Sequence, residues 1–381
     1  MPLVILLAAT LATIPGAEPR PGPPPPIATA AQVEKLTQDG KADEAVTKGR
    51  VAVAQHPDDV DLRLALARGL AAQARHVNRV VNVKMSQQDL DRGQVAVPSA
   101  ELGDAPQQVD YDSGLFEEAI LHLEFGIKRA PARPDLRVFQ CFLLTDAGRI
   151  DRAKAAIAAS LTVLPKTAET AKTMAAYGAE RVKRDDPVGG AELLAPVAQA
   201  FPSDASVLID YGNVLTRLGK KPEAFAAFDR ATTLAPSDVR FARTKAVSAM
   251  LLRDYRRAQG AFDAAFRLGR GVPDQFASYV AAYGVDPAGG AGMMRELGTP
   301  TPSSDAAVLD LANAFARAGK AGAGSAEAMT LARSLVASQQ YLFAIPVLDR
   351  ALQAQPKNSE AKAMLGDTYR ALGCAGLAKS L

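Results

Sequence analysis

Tryptophan is absent from this 381-residue chain, and cysteine and histidine are nearly so, with two and three copies. Two cysteines, Cys141 and Cys374, set no disulfide framework. The histidines His56, His76 and His122 have no second histidine or cysteine three or four positions away, the spacing at which a helix presents two ligands to one metal ion. These scarcities predict no metal site, no cofactor and no catalytic residue.

An excess of charge of one sign is also lacking. The chain has 44 lysines and arginines against 41 aspartates and glutamates, a net charge of +3. A nucleic-acid-binding domain would cluster its basic residues on one face. Gly319 and Lys320 do not form a phosphate loop, because Ala321 follows the lysine and no glycine stands five residues upstream of Gly319. The sequence therefore predicts no nucleic-acid partner.

Long apolar runs are scarce, and the one exception is at the N-terminus. Leu3–Ile14 is too short to span a bilayer and fits the apolar core of a secretory signal. We expect residues 1–17 to be a signal peptide, with a cut after Ala12 as an alternative, and the protein to be exported, to the periplasm or beyond. Residues 18–30 form a proline-rich linker. No later run predicts an integral membrane span.

What the chain has in abundance is a pattern of small and large residues that returns 34 positions later. Each copy begins with an alanine, which is followed by a large apolar residue after four positions and a small residue after seven. The copies are Ala119-Leu123-Gly126, Ala153-Ile157-Ser160, Ala224-Phe228-Ala231 and Ala258-Phe262-Ala265. A small residue lets two helix backbones approach where they cross, and the large residue fills the neighbouring groove.

In three copies a glycine precedes the alanine by five positions and a proline follows it by twelve, which predicts a turn before the helix and a stop after it. The pattern resembles that of the tetratricopeptide repeat family, most clearly over residues 208–236. The matching residues there are Tyr211, Gly212, Leu215, Gly219, Ala224, Phe228, Ala231 and Pro236. The resemblance implies an all-α fold, a right-handed superhelical solenoid of helix-turn-helix repeats, whose function is binding.

Further copies extend the array in both directions. They are Ala45-Gly49-Ala52-Pro57, then Gly190-Leu194-Val197-Pro202 with a first helix from about Ala168, and Ala344-Leu348-Ala351-Pro356. Residues 359–373 resemble a first helix that caps the array. We therefore expect tetratricopeptide repeats over residues 31–298, and C-terminal repeats with a capping helix over residues 299–381.

One repeat carries an insertion of about forty residues, at 73–113, where the period lengthens from 34 to 74 residues. Strand-like and turn-like segments within it predict a hairpin that pairs Val80–Met85 with Gln94–Val97. An insertion of this length either contacts a partner or is a flexible loop. An enzyme site built around His76 and the aspartates of the insertion is a remote alternative.

The array is interrupted a second time after the copy that begins at Ala258. Residues 274–298 predict a helix pair whose second helix is weakened by three glycines, and residues 305–318 predict one unpaired helix. We expect hinges at residues 299–305 and 319–325, because both segments are rich in proline, glycine, serine or threonine.

The resemblance also implies where a partner binds. In the family the first helices line a concave face, and their positions 2, 5, 9 and 12 point into it. Counted from residues 168, 205 and 239, these positions hold Glu169, Lys172, Ile209, Asn213, Thr216, Arg240 and Arg243. The predicted binding groove is formed by Lys172, Asn213, Arg240 and Arg243. Cations and an amide suit an acidic segment, as in the carboxylate clamp of some family members; the alternative is that these residues are merely solvated.

The sequence thus predicts a non-enzymatic scaffold that binds a protein or peptide segment in its groove, in the bacterial cell envelope. An alternative within the same class is a periplasmic component of polysaccharide export or outer-membrane assembly machinery, which depends on analogy with the fold alone.

Overall fold

The computed structural model describes residues 27–79, 107–297 and 306–381. The predicted signal peptide and the predicted strands Val80–Met85 and Gln94–Val97 lie outside these ranges. The described chain is almost wholly helical, as predicted. Its described residues form two compact units, the first of residues 27–74 and 114–122 and the second of the described residues within 75–113 and 123–381. No helix among the described residues is long and apolar enough to cross a membrane.

The elements before the regular array are α1 (Ala30–Gln38), α2 (Ala42–Gln55), α3 (Val60–Ala74), β1 (Arg75–Arg79), β2 (Gln107–Tyr111) and α4 (Ser113–Arg129). The array continues with α5 (Pro134–Asp146), α6 (Ile150–Val163), α7 (Ala168–Lys183), α8 (Pro187–Ala200), α9 (Ala205–Arg217), α10 (Lys221–Leu234), α11 (Val239–Leu251), α12 (Tyr255–Gly269), α13 (Val272–Val285) and α14 (Pro287–Leu297). The C-terminal helices are α15 (Ala306–Ala321), α16 (Ala326–Ala337), α17 (Tyr341–Ala354), α18 (Ser359–Ala371) and α19 (Ala375–Lys379).

In the first unit, α1, α2 and α3 pack around a small apolar core that includes Val33, Ala45 and Ala65. Thr29 and Gln32 begin α1 with a capping box, in which each side chain bonds the other residue's backbone N–H. Gly49 of α2 lies against Leu66, since a Cβ atom there would be 3.0 Å from Leu66 Cδ1. The small residue therefore sets the closeness of the two helices.

In the second unit, small residues stand where each first helix crosses its second helix, as the pattern predicts. A Cβ atom on Gly178 would be 2.5 Å from Leu194 Cγ, and one on Gly212 would be 2.8 Å from the Phe228 ring. Gly212 follows Gly178 by 34 residues, and Phe228 follows Leu194 by 34. The two crossings are therefore equivalent, and they fix the register of α7 to α10.

Seven turns between the two helices of a repeat share one backbone feature. One residue in each of them has a positive φ, which L-amino acids other than glycine rarely adopt. These residues are Gly40, Gly148, Asp185, Gly219, Arg253, Gln339 and Gly373. The seven turns therefore keep their geometry even where glycine has been replaced. The turn between α13 and α14 differs, because Asp286 there has a φ of −146°.

The described ends of the insertion form an antiparallel two-stranded stem, with Arg75 of β1 opposite Tyr111 of β2. Both residues bond Asp146 at the end of α5: the Arg75 Nε–Asp146 Oδ2 distance is 3.0 Å and the Tyr111 Oη–Asp146 Oδ2 distance is 2.6 Å. Arg184 donates to the other carboxylate oxygen at 2.5 Å. Asp146 therefore joins the stem to two consecutive repeats.

The C-terminal helices pack back on the array. The Tyr255 hydroxyl donates to Asp349 of α17 at 2.8 Å, and Arg253 bonds the same carboxylate at 3.2 Å. The Tyr369 hydroxyl of α18 donates to the carbonyl oxygen of Leu251 at 3.0 Å. These contacts join residues about a hundred positions apart, so the C-terminal repeats do not simply extend the solenoid.

The boundary between the predicted helix at 305–318 and the predicted hinge at 319–325 needs revision. The predicted unpaired helix at 305–318 is α15, and it runs on to Ala321. Gly319 and Lys320 therefore belong to a helix, and the predicted hinge at 319–325 is wrong in its first three residues. Gly319 is buried against Ala291 of α14, and this packing continues the helix. The segment 359–373, which was predicted to cap the array, contains α18.

Candidate functional site

Four consecutive first helices, α5, α7, α9 and α11, leave the same repeat positions uncovered. Each second helix has one buried small residue that marks the repeat: Ala153, Gly190, Ala224 or Ala258. The positions 18, 14 and 11 residues before it lie on the first helix of the same repeat. They are Asp135, Phe139 and Phe142 on α5, Lys172, Ala176 and Ala179 on α7, Ser206, Asp210 and Asn213 on α9, and Arg240, Thr244 and Val247 on α11. Every one is exposed or half-buried. We call this set the open face.

Three of the four predicted groove residues, Lys172, Asn213 and Arg240, belong to the open face. Lys172 does not occupy the position expected for it. The Thr167 hydroxyl caps α7 by accepting from the Thr170 N–H, so the helix begins a turn before the repeat does. The crossing of Gly178 with Leu194 then places Lys172 level with Arg240.

Arg240 and Arg243 are both engaged with carboxylates. Arg240 bonds Asp238, the N-cap of its own helix, at 2.6 Å, and its side chain remains 78% exposed. Arg243 makes two hydrogen bonds of 2.8 and 2.7 Å to the nearly buried Asp274 of α13. Arg243 therefore links two first helices, whereas Lys172 is exposed.

The middle of the open face holds a carboxylate. Asp210 is exposed, yet burial of the carboxyl among surrounding protein atoms and the nearby charge of Asp204 raise its pKa. Of the other expected groove positions, Ile209 and Thr216 are buried, and Thr216 donates to the carbonyl oxygen of Gly212 at 2.9 Å. They support the helix and are not available to a partner.

Part of the next first helix, α13, is covered by the chain itself. Counting back 14 residues from the buried Gly290 of α14 gives Phe276, which is 4% exposed. The Phe276 ring lies 6.0 Å from that of Phe315 in α15 and 5.2 Å from that of Phe343 in α17. The open face therefore ends at α11, which sequence reasoning missed because these aromatic residues are far apart in the chain.

The described residues do not assemble an evident catalytic or metal site. His76 stands opposite Asp110 in the stem, but the described part of the chain contains no cluster of three potential metal ligands. Burial and the charge of Arg63 lower the pKa of His122. Burial raises the pKa of the Cys141 thiol to about 11, and Cys141 and Cys374 are both free and buried.

Comparison with known proteins supports the repeat assignment. The family model described as tetratricopeptide repeat matches residues 180–239 and 329–376. No curated protein matches the sequence.

Similar solved structures include MamA AMB-1, with 26% identity over 42% of this chain and 85% of that chain and a TM-score of 0.28. YrrB, described as a TPR protein with an unusual peptide-binding site, has 13% identity over 61% and 97% and a TM-score of 0.32. PilW, described as a widely conserved type IV pilus biogenesis factor, has 16% identity over 52% and 90% and a TM-score of 0.32. At such TM-scores no functional property follows from these alignments.

The matched segments cover α8 to α10 and α17 to α18, where small residues pack at the helix crossings and the turns share one left-handed residue. The chain therefore contains tetratricopeptide repeats in these two segments.

Proposed function

We propose that this protein is a non-enzymatic scaffold that binds a segment of a partner protein along the open face. The observation that carries the proposal is the alignment of exposed positions on four consecutive first helices, interrupted where the chain covers α13. Helix faces of this kind are reused for peptide recognition. Lys172, Asn213 and Arg240 supply the polar contacts, and Arg243 holds α11 against α13 beside them.

The partner segment is acidic where it meets Lys172 and Arg240. Both side chains are exposed and stand at the same level of their helices, two repeats apart. Arg240 can exchange its bond to Asp238 for one to a partner carboxylate, since that pair is exposed and such pairs contribute little to stability. Binding should therefore weaken as salt rises.

The site of action we propose is the cell envelope, on the basis of the apolar run Leu3–Ile14. A component of polysaccharide export or outer-membrane assembly machinery is the alternative role in that compartment. A fusion of residues 1–30 to a phosphatase that is active only after export tests the location. Activity of the fusion supports export, and its absence argues for a cytoplasmic scaffold.

Binding to the open face is tested with a phage-displayed library of random 16-residue peptides. Peptides selected on the wild-type protein are synthesised, and their affinities are measured by fluorescence anisotropy. We expect the Lys172→Glu, Arg240→Glu double variant to lose about tenfold or more in affinity. The matched control is Lys220→Glu, Arg230→Glu, which reverses two exposed cations near the start of and within the second helix α10. Equal losses in both variants would exclude the open face as the binding site.

This design leaves Arg243 unchanged. Its reversal would set a second carboxylate against the nearly buried Asp274 and would cost stability by itself. Melting curves of the double variants, compared with wild type, confirm that any loss of affinity is not a loss of fold.

A further inference from the structure

The open face carries an aromatic pair that its predicted polar residues do not explain. Phe142 of α5 is 43% exposed, and its ring stacks on that of Phe139 with 6.0 Å between centroids and an interplanar angle of 23°. Both rings belong to the open face. The remaining apolar members of this face are two alanines and Val247, so Phe142 is its most exposed large apolar side chain.

Phe142 and Asn213 occupy the same repeat position, because Phe142 precedes Ala153 and Asn213 precedes Ala224 by 11 residues each. Phe139 corresponds in the same way to Asp210. Between α5 and α9 the equivalent positions on α7 hold Ala176 and Ala179. Because these side chains are short, an extended segment can cross α7 between the polar residues of α9 and the aromatic pair of α5.

The direction of such a segment is set by the covered face of α13. A segment held at Arg240 cannot continue toward α13, because α15 and α17 occupy that face. It must run toward α5. Packed helices are about 9 Å apart, so the three steps from α11 to α5 span roughly 27 Å, which an extended chain covers in about eight residues at 3.3 Å each.

The chain itself shows which chemistry covers this face. On α13, Phe276 at the corresponding middle position is buried by two aromatic side chains, Phe315 and Phe343, that pack on it edge to face. The exposed pair on α5 includes the same repeat position, at Phe139, four first helices away. Aromatic or large aliphatic side chains therefore suit it best, since aromatic pairs add to the gain from apolar burial.

We propose that Phe142, supported by Phe139, is the apolar anchor site for the partner segment. The segment carries a large apolar residue that packs on Phe142, about eight residues from a carboxylate that binds Arg240. This inference rests on the proposed function and specifies the partner: an extended, acidic segment of another protein with one bulky apolar side chain near one end.

The peptide selection tests the anchor in two ways. Peptides selected on the wild-type protein should have an aromatic or large aliphatic residue about eight positions from an aspartate or glutamate. Phe142→Ala should weaken their binding about tenfold or more, as expected for a buried aromatic anchor. Replacing the apolar residue of the peptide by alanine should weaken wild-type binding similarly and should have little further effect on the Phe142→Ala variant.

The matched control is Leu234→Ala on the second helix α10, because Leu234 is exposed to the same 43% as Phe142. Its affinity for the peptides should stay within twofold of wild type. Both variants should keep the wild-type melting temperature closely, since each removes a side chain that is already partly in water.

The outcomes separate this inference from the proposed function. If charge reversal at Lys172 and Arg240 weakens binding but Phe142→Ala does not, the anchor is wrong and the groove stands. If neither change matters, or no peptide is selected, both are wrong. If ultracentrifugation shows that the wild-type protein dimerises and Phe142→Ala abolishes the dimer, the occupant is a second copy of this chain and the anchor for a partner is overturned.

Discussion

Gly290 and Gly292 stand two residues apart on α14, but their surroundings differ. A Cβ atom on Gly290 would overlap the backbone of Tyr283, so only glycine lets α14 approach α13 so closely. A Cβ atom on Gly292 would meet nothing nearer than the Arg295 guanidinium, at 3.8 Å. One glycine is thus required by packing, and the other only weakens the helix.

We therefore predict opposite effects of two alanine substitutions. Gly290→Ala should lower the free energy of unfolding by about 1–3 kcal/mol, because the backbones must separate. Gly292→Ala should raise it by about 0.5–1 kcal/mol, because alanine favours the helix over the unfolded chain. Chemical denaturation measures both. Equal destabilisation by the two substitutions would contradict this packing of α14 on α13.

Gln339 allows a second prediction at the residue scale. It has a φ of 59° in the turn between α16 and α17. The equivalent residue in the turn between α18 and α19 is Gly373. Gln339→Gly should raise the free energy of unfolding by about 1 kcal/mol, because glycine adopts this conformation without strain. Gln340→Gly is the control: its φ is −83°, so no gain is expected there. A gain at both positions would point to an effect on the unfolded chain.

Such residue requirements show where sequence reasoning stops. The three glycines of α14 look alike in the sequence and predict a weak helix. The structure forms the helix because Gly290 and Ala291 pack on α13 and α15. Which glycine is essential depends on tertiary contacts, and no local pattern contains them.

At the scale of elements, Asp146 attaches the insertion stem to the array. Its side chain is 2% exposed and accepts from Tyr111, Arg184 and Arg75. Burial opposes its ionisation, but these three donors outweigh burial and hold its pKa below the usual 3.8. The stem is therefore attached to α5 and α7, and it is not a loose graft.

Asp146→Asn should lower the free energy of unfolding by about 1.5–3 kcal/mol at neutral pH, because charged donors lose an ionised acceptor. A depressed pKa contributes stability above the pKa of the unfolded carboxyl, and this contribution is lost as pH falls through the folded value. The difference in the free energy of unfolding between wild type and variant should therefore be constant near neutral pH and should become smaller below about pH 4. Denaturation at several pH values measures it.

Asp151→Asn is the control for that prediction. Asp151 is exposed in the first turn of α6, so its loss should cost only a few tenths of a kcal/mol. If the two variants had the same free energy of unfolding across the pH range, Asp146 would not be the residue that attaches the stem to the array.

The bonds of Arg75 and Tyr111 to Asp146 also determine how far the insertion can be shortened. Replacing residues 80–106 by a short glycine-containing turn keeps β1, β2 and the bonds of Arg75 and Tyr111 to Asp146, so stability should be nearly unchanged. Replacing 76–112 removes Tyr111 and the strand pair and should be destabilising. Thermal melts compare the two deletions. Equal stability of the two would show that the stem contributes nothing.

The second helices could be placed from the sequence because each small residue marks a crossing within a single repeat. The start of α7 near Ala168 was also predicted correctly, but its offset from the repeat register was not. Its N-cap, Thr167, begins the helix a turn before the repeat register, so counting from Ala168 moved Lys172 to the wrong level. The pairing of Arg243 with Asp274 was also hidden, since it joins two repeats.

At the scale of the second unit, the return of the C-terminal helices changes how stability is shared. In a linear array each repeat contacts only its neighbours, so the loss of one end exposes one interface. Here α15 and α17 cover α13, α17 bonds the turn before α12, and α18 bonds the end of α11. The sequence predicted a break after α12 and a cap, but not this return, because nothing local links residues about a hundred positions apart.

A chain ending at Leu297 should therefore lose protection well away from its new end. Phe276 and Tyr283 would become exposed, and Arg253 and Leu251 would lose their partners on α17 and α18. Hydrogen exchange measured by mass spectrometry should show faster exchange in α11 and α12 as well as in α13 and α14, because opening is governed by the contacts that hold each element.

The control is a chain ending at Gly373, which lacks only α19. Leu377 packs on the turn at Gly219, so faster exchange should be confined to the end of α9 and that turn. If the chain ending at Leu297 lost protection only in α13 and α14, the C-terminal helices would behave as ordinary terminal repeats. The open face would then be able to continue onto α13 when they detach, and the eight-residue limit on the partner segment would no longer hold.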